Sequence, residues 1–350
     1  MSLPCGIRNT TYAQDMAIIR TKTQWVFFFG FLVLLFSAPL YLGNFWLGVA
    51  NLIGITLIAA VGLNILVGYC GQLSIGHAGF IAVGAYTAAI VTNRFDLPFL
   101  LGLVCAGLVA GFIGLIFGLP SIRVKGFYLA ITTIAAQFII LWVINHWSFT
   151  GGFSGITVPY ASIFGYEFRT ETSQFYLIMV IAALCVFFAR NLARTKIVRA
   201  FIAIRDNDLA AEVMGVNILY YKLLAFFIGC FLAGIAGALT AHWWGSINAE
   251  YFSLSESILY IGMIIIGGLG TSIGPIFGVV LIRLLQQVLS VEVAPFLEST
   301  FTMFPSGFAS GITPMLFGLV IILFLILEPR GLAHRWMLFK SAYRLWPFSY

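Results

Sequence analysis

Long runs of apolar residues follow one another along the chain, separated by short polar stretches. An α-helix needs about 20 mostly apolar residues to cross the hydrocarbon core of a bilayer. The sequence therefore predicts an all-α integral membrane protein with about ten transmembrane helices, some of them broken or re-entrant. The predicted spans are 25–42, 46–67, 74–92, 98–119, 127–145, 175–189, 221–242, 254–268, 274–290 and 312–327.

Composition excludes a soluble protein. Hydrophobic residues make up 61% of the chain and charged residues only 9%, whereas soluble domains carry about 25% charged residues. So few charges cannot cover a surface that faces water, and the surrounding solvent must be lipid. The five cysteines show no paired or metal-like spacing, which predicts neither a disulfide nor a metal site.

The distribution of Lys and Arg predicts the orientation. Cytoplasmic segments of membrane proteins are rich in these residues. If both termini are cytoplasmic, all of the 18 basic residues except Arg94, Arg169 and Arg283 lie in cytoplasmic segments or beside them. The basic excess is therefore a topology signal and not a nucleic-acid signal. We expect one transmembrane domain over 1–350, with loop 146–174 outside the cell and loop 190–222 inside it.

Glycine and polar residues cluster where the second and third spans meet. Five glycines between positions 68 and 84 weaken a continuous helix, by about 1 kcal/mol each relative to alanine. We expect the helix to break near 68–73 and to restart near Ser74. Such a break can hold a substrate group at a helix end or form a packing turn, and both interpretations stay open. The candidate residues are Asn64, Gly68, Gly71, Gln72, Ser74, Gly76 and His77.

Two further polar sets fall inside predicted spans. Thr133 and Gln137 are four residues apart and share a helix face, where they line a pathway or bond across helices. Arg283 lies inside the ninth span, and a membrane-embedded arginine needs a partner or water. We expect it to join an interior polar network.

Enzyme chemistry finds no support in the sequence. The glycine-rich run that begins at Gly267 lacks the lysine of a phosphate-binding loop. The four histidines are isolated, and each Asp and Glu lies in a loop or at the end of a span. Since no paired carboxylates for a proton relay occur within the spans, active transport by this chain needs an energy source elsewhere.

Segment 190–222 is long and charged in an otherwise apolar chain. Such a segment is typical of a surface that binds a soluble partner. A short helix within it can transmit a rigid-body motion. A solvated connector is the alternative. The residues predicted for this coupling role are Arg205, Asp206, Asn207, Asp208, Ala210, Ala211, Glu212 and Gly215.

Several motifs together resemble the membrane subunits of branched-chain amino-acid ABC importers, the LivM-type permeases. The resemblance covers about 50–332. It rests on the run GYCGQLSIGHAGF from Gly68, FYLAITT from Phe127, AIRDNDLAAEVMGVN from Ala203, GGLGTSIGP from Gly267 and EPRGL from Glu328.

The resemblance implies a permease in a larger complex. Its partners would be a second related permease, two cytoplasmic ATPase subunits and a periplasmic substrate-binding protein, in a bacterial inner membrane. ATP and Mg would bind on the ATPase subunits, and this chain would need no cofactor. Segment 205–215 would be the coupling helix. Two departures stand out: Gln137 replaces a usual acidic residue, and Leu209 stands where the coupling pattern begins with Glu.

The motifs constrain the substrate less than they constrain the type of transporter. Branched-chain or similar hydrophobic amino acids are expected first. Sister families with this architecture carry urea, short amides or aromatic acids. A self-sufficient secondary transporter or channel is the rival from another class.

Overall fold

The protein is described by a computed structural model, which covers residues 22–124, 126–163, 165–293, 308–328 and 330–345. In these ranges the chain is largely helical. The α-helices are α1 Lys22–Phe36, α2 Asn44–Leu63, α3 His77–Asn93, α4 Phe99–Gly118, α5 Phe127–His146, α6 Glu171–Leu192, α7 Lys196–Asp206, α8 Asp208–Val213, α9 Ile218–Trp244, α10 Leu254–Gly267, α11 Gly274–Val288, α12 Phe308–Leu327 and α13 Leu332–Leu345. The strands are β1 Ile156–Thr157, β2 Ser162–Ile163, β3 Tyr166–Glu167 and β4 Ser246–Ile247.

The predicted all-α class is confirmed. Within the described residues, six helices are long and apolar enough to cross a membrane, namely Asn44–Tyr69, Phe99–Ser121, Phe127–His146, Glu171–Leu192, Ile218–Trp244 and Gly274–Val291. Each of the other four predicted spans also overlaps a helix, although these helices are shorter or only partly described. The count of ten crossings stays a prediction. The two termini, 1–21 and 346–350, lie outside the described residues, so their predicted side does too.

Two helices differ from the prediction. The sixth span is a helix of 22 residues, α6, and not the short run predicted over 175–189. It extends further because Thr170 caps its first turn by accepting a hydrogen bond from the Ser173 amide. The short helix predicted within loop 190–222 is present as α8, and a further helix that was not predicted, α7, precedes it.

The chain divides into two compact units, residues 1–47 and 48–350. In the described part of the first unit, α1 is followed by a short 3₁₀ turn over Ala38–Leu40. The second unit contains the hydrophobic core and all of the predicted site residues. The expectation of one domain over the whole chain stays a prediction.

The core of the second unit is built where α9 packs against α3 and α4. Small residues let these backbones approach closely. A methyl group on Gly84 would overlap the Gly234 backbone, and one on Gly237 would overlap the carbonyl oxygen of Ile81. Gly107 and Gly111 of α4 likewise receive the rings of α9 phenylalanines. Glycine at these positions therefore fixes which helix faces meet.

Loop 146–174 connects α5 to α6 and is anchored by its strands. β1 pairs antiparallel with β4, so that Ile156 lies opposite Ile247. β2 and β3 form a second two-stranded antiparallel sheet. This loop lies at the end of the helices opposite the α7–α8 segment, which joins the other end of α6 to α9.

Candidate functional site: two helix breaks and the segment beside them

The first helix break follows α2. The helix widens into a π-helical turn over Asn64–Tyr69, and an irregular stretch then leads to α3, which begins at His77. Gly71 adopts a left-handed φ of +70°, which glycine reaches without the steric cost of a side chain. The predicted break is confirmed, but α3 begins three residues later than the expected restart at Ser74, with Gly76 as its N-cap.

A second break separates α10 from α11 over residues 268–273. The two breaks are bonded to each other. The Asn64 side chain donates to the carbonyl oxygen of Thr271 at 3.0 Å and accepts from the Gly270 amide at 2.9 Å. The Tyr69 hydroxyl lies 3.1 Å from that of Ser272. One buried amide thus satisfies two backbone groups that the second break leaves without a helical partner.

Arg205, in the last turn of α7, joins this pair of breaks. Its Nη1 donates to the carbonyl oxygen of Gly68 at 3.0 Å. A methyl group on Gly71 would come within 2.7 Å of the Arg205 Cγ, and one on Gly270 within 3.1 Å of its Nη1. The opposite edge of the guanidinium donates to the Asp206 carboxylate at 3.0 and 2.9 Å. Arg205 therefore bonds α7 to the first break and lies close to the second.

The short helix α8 follows directly and has caps at both ends. The Asn207 side chain accepts from the Ala210 amide at 3.1 Å, the usual N-cap bond. Gly215 ends the turn with a φ of +83°, and its amide donates to the carbonyl oxygen of Glu212 at 2.9 Å. Asp208 lies in the first turn, where a negative charge is favourable. Caps of this kind hold six residues helical although few of them are buried.

The outer face of α8 is apolar and exposed. Leu209 is 68% exposed, Val213 88% and the C-cap residue Met214 83%. Ala211 is buried on the inner face of the helix. Ala210 and Glu212, which lie to either side of it, are exposed. Exposed apolar side chains grouped on one capped helix are typical of a protein-binding surface.

A buried lysine supports this segment from below. Lys222 of α9 is 2% exposed, and its Nζ donates to the carbonyl oxygen of Ser121 at 3.2 Å and lies 4.0 Å from the Asp208 carboxylate. Beside it is a polar cavity of about 320 Å³ between the first break and the α7–α8 junction. Gln72 and Arg205 line this cavity with Lys222.

The other predicted pathway residues form helix contacts. The Thr133 hydroxyl of α5 accepts from the Ile75 amide at 2.9 Å, and a methyl group on Gly76 would overlap the Thr133 carbonyl oxygen. Gln137 donates to the carbonyl oxygen of Phe252 at 2.9 Å. The Thr133 bond fixes α5 against the first break, and the Gln137 bond fixes it to the turn that precedes α10.

Gln137 also takes part in a chain of bonds that joins three helices. The Ser257 hydroxyl of α10 donates to the Gln137 side-chain oxygen at 2.8 Å and accepts from the Ala78 amide at 2.9 Å. The Ala78 amide is one of the free donors in the first turn of α3. The start of the helix after the first break is therefore bonded to a side chain and, in this conformation, does not offer that donor to a substrate.

His77 and Ser74 are completely buried. The His77 Nε2 lies 3.0 Å from the carbonyl oxygen of Ala59, which can only accept, so this nitrogen carries the proton. The ring packs edge-on against Tyr260. The Ser74 hydroxyl finds no hydrogen-bond partner among the described residues. Their predicted pathway role stays a prediction, because the contacts seen here are packing contacts.

The predicted polar network around Arg283 is present. Its guanidinium donates to Thr56 at 3.1 Å, to Gln286 at 2.9 Å and to the Glu256 carboxylate at 3.3 Å. The network joins α2, α10 and α11. Glu256, in the first turn of α10, is a partner that sequence reasoning did not identify.

Sequence reasoning also missed the second break as a partner of the first. Gly270 and Thr271 lie more than 200 positions from Asn64, and no local pattern reports such a contact. The one signal was the repeated Ser-Ile-Gly at Ser74 and Ser272, which in the structure marks the end of each break.

Among the described residues, six helices are long and apolar enough to cross a bilayer, which defines a multi-pass membrane protein. Residues 45–327 match the family described as branched-chain amino acid transport system / permease component. The chain belongs to this family.

Known relatives agree with the family match. The chain is 30% identical over 294 residues to the high-affinity branched-chain amino acid permease protein LivM of Salmonella typhimurium, which covers 77% of this chain and 69% of that protein. It is 24% identical over 319 residues to a probable LivM of Methanocaldococcus jannaschii, covering 80% and 90%. LivH of Salmonella typhimurium is 25% identical over 244 residues, covering 63% and 76%. No solved structure matches.

Proposed function

We propose that this chain is a permease subunit of a binding-protein-dependent ABC importer in the bacterial inner membrane. It crosses the membrane ten times with both termini in the cytoplasm. Its substrates are branched-chain or similar hydrophobic amino acids, which it moves by ATP-driven alternating access. The family membership and the LivM relatives support the machine and the substrate class.

The observation that carries this proposal is the link from α8 to the breaks. α8 presents Leu209, Val213 and Met214 to solvent, and Arg205, three residues before Asp208, is bonded to Gly68. A push on α8 therefore reaches both interrupted helices through rigid, hydrogen-bonded parts. In transporters, interrupted helices form the substrate site around which the rest of the protein moves.

The partners follow from this mechanism. Two cytoplasmic ATPase subunits bind ATP and Mg and contact α8. This chain itself catalyses no reaction. A second permease resembling LivH completes the pathway, since LivH relatives share this chain's sequence pattern. A periplasmic binding protein delivers the substrate to the side of loop 146–174.

Reconstituted uptake tests the proposal. The complete complex in proteoliposomes that contain ATP should accumulate labelled leucine when the binding protein is present, and the permease pair without ATPase subunits should not. Uptake of urea in place of leucine would be consistent with the proposed ABC importer but would show that the proposed substrate class is wrong. Uptake by this chain alone would identify a self-sufficient transporter and overturn the proposal.

A further inference from the structure

The last described helix, α13, carries an apolar stripe between two cations. Leu332, Trp336 and Phe339 follow one another at spacings of four and three, so they share one face. Leu332 packs against the hydrophobic core, whereas Trp336 is 46% exposed and Phe339 63%. Arg335 and Lys340 flank the stripe on its two sides. Residues 332–345 contain no Asp or Glu, so the helix is suited to a partner that offers an apolar layer beside negative charge.

The position of α13 is set by a tight turn after α12. Only four residues separate Leu327 from Leu332, and a chain of this length spans at most about 17 Å. The Gly331 amide donates to the carbonyl oxygen of Glu328 at 2.9 Å, and Arg335 pairs with the Glu328 carboxylate. The hydrogen bond from Arg335 holds the pKa of Glu328 below its ordinary value. α13 therefore begins close to the end of a membrane-spanning helix.

The same turn touches the second helix break. Gly331 has a φ of +75°, and a methyl group there would come within 2.7 Å of the Gly268 Cα. A methyl group on Gly268 would come within 3.0 Å of the Ala333 Cβ. The Trp336 ring packs against the ring of Phe277, in the first turns of α11, with 5.8 Å between the ring centroids. Whatever holds α13 in place also holds the second break.

We propose that α13 lies in the headgroup layer of the cytoplasmic leaflet and binds anionic phospholipid. Phe339 enters the acyl boundary, and Lys340 reaches the phosphates. Basic amphipathic helices with tryptophan and phenylalanine bind membranes in this manner. Anionic lipids attract such cations. This inference rests on the proposed topology, in which α13 is cytoplasmic. Its closeness to the end of α12 favours lipid over an ATPase subunit as the partner.

Photo-crosslinking tests the contact. A benzoylphenylalanine is placed at position 339, on the stripe, or at position 341, on the opposite face. The full complex is then illuminated in nanodiscs of phosphatidylethanolamine and phosphatidylglycerol, and the adducts are weighed. We expect a lipid adduct at 339 and none at 341. A protein adduct at 339, or no adduct at all, would overturn the proposal.

Charge substitution tests the preference for anionic lipid. Lys340→Gln should lower the retention of phosphatidylglycerol over phosphatidylcholine by about fivefold, since one basic residue near the surface contributes about 1 kcal/mol. Ser341→Gln, which adds the same side chain on the other face, should leave retention unchanged. Equal retention in both variants would refute the electrostatic part.

A green fluorescent protein fused after residue 350 separates this inference from the topology. Fluorescence of the fusion in cells supports a cytoplasmic α13. A dark but exported fusion that still shows the lipid adduct at 339 would overturn the topology and the choice of leaflet, while the lipid contact would remain.

Discussion

Arg205 donates a hydrogen bond to the carbonyl oxygen of Gly68 at 3.0 Å. The two residues lie 137 positions apart, one at the end of α7 and the other inside the first helix break. A hydrogen bond from a charged donor contributes about 1.5–3 kcal/mol. This bond connects α7, which leads directly into α8, to the first interrupted helix.

Arg205→Met should uncouple ATP hydrolysis from transport. Loss of the Gly68 bond frees the first break from α7, and we expect uptake to fall by about tenfold or more, as removal of about 1.5 kcal/mol implies. ATPase activity of the complex should persist. Arg199→Met, an exposed arginine on the same helix, is the matched control and should transport normally. Equal uptake by both variants would argue against the link.

Gly71→Ala should impair uptake more than Gly245→Ala. Both glycines have a left-handed φ, of +70° and +72°, so both variants bear a backbone cost of about 1–2 kcal/mol. Only the methyl group at position 71 also meets the Arg205 side chain, at 2.7 Å, because the nearest atom to one at 245 is 4.0 Å away. Uptake normalised to the amount of protein in the membrane measures the difference. Similar losses in the two variants would mean that the contact with Arg205 is unimportant.

The long apolar helices and the first break could be predicted from the sequence, because both depend on local composition. The glycine faces of α4 could be predicted for the same reason, since Gly107 and Gly111 recur at helical spacing. The bond from Asn64 to Gly270 could not, because it joins segments far apart in the chain. Helix α7 was missed because its charges resemble those of a solvated loop, while its buried face (Val198, Phe201) becomes meaningful only beside the core.

Gly237→Ala should destabilise the fold. The new methyl group would overlap the Ile81 carbonyl oxygen, and overpacking in a close-packed interior costs about 1–3 kcal/mol. Gly318→Ala in α12 has open space around it and serves as the control. Thermal unfolding of the purified protein in detergent should show a lower midpoint for the first variant only. An unchanged midpoint would mean that α3 and α9 can separate without cost.

Gln137→Glu should weaken the contact between α5 and α10. A carboxylate can still accept from Ser257, but it cannot donate to the Phe252 carbonyl oxygen. We expect a loss in stability greater than the roughly 1–3 kcal/mol that one unpaired buried acceptor costs, because the new negative charge is buried as well. Gln137→Met leaves the same acceptor unpaired but buries no charge, and it should destabilise less. The order of the two thermal midpoints is the measurement, and the reverse order would contradict the assigned bonds.

The central claim is that force enters this chain through α8. The most direct test is co-purification of the ATPase subunits with a Val213→Asp variant, in which a charge replaces a side chain that is 88% exposed. Thr195→Asp, an exposed position at the start of α7, is the control. We expect Val213→Asp to insert normally, lose the ATPase subunits and lose uptake, while Thr195→Asp keeps all three. Normal ATPase binding and normal uptake by Val213→Asp would contradict the account.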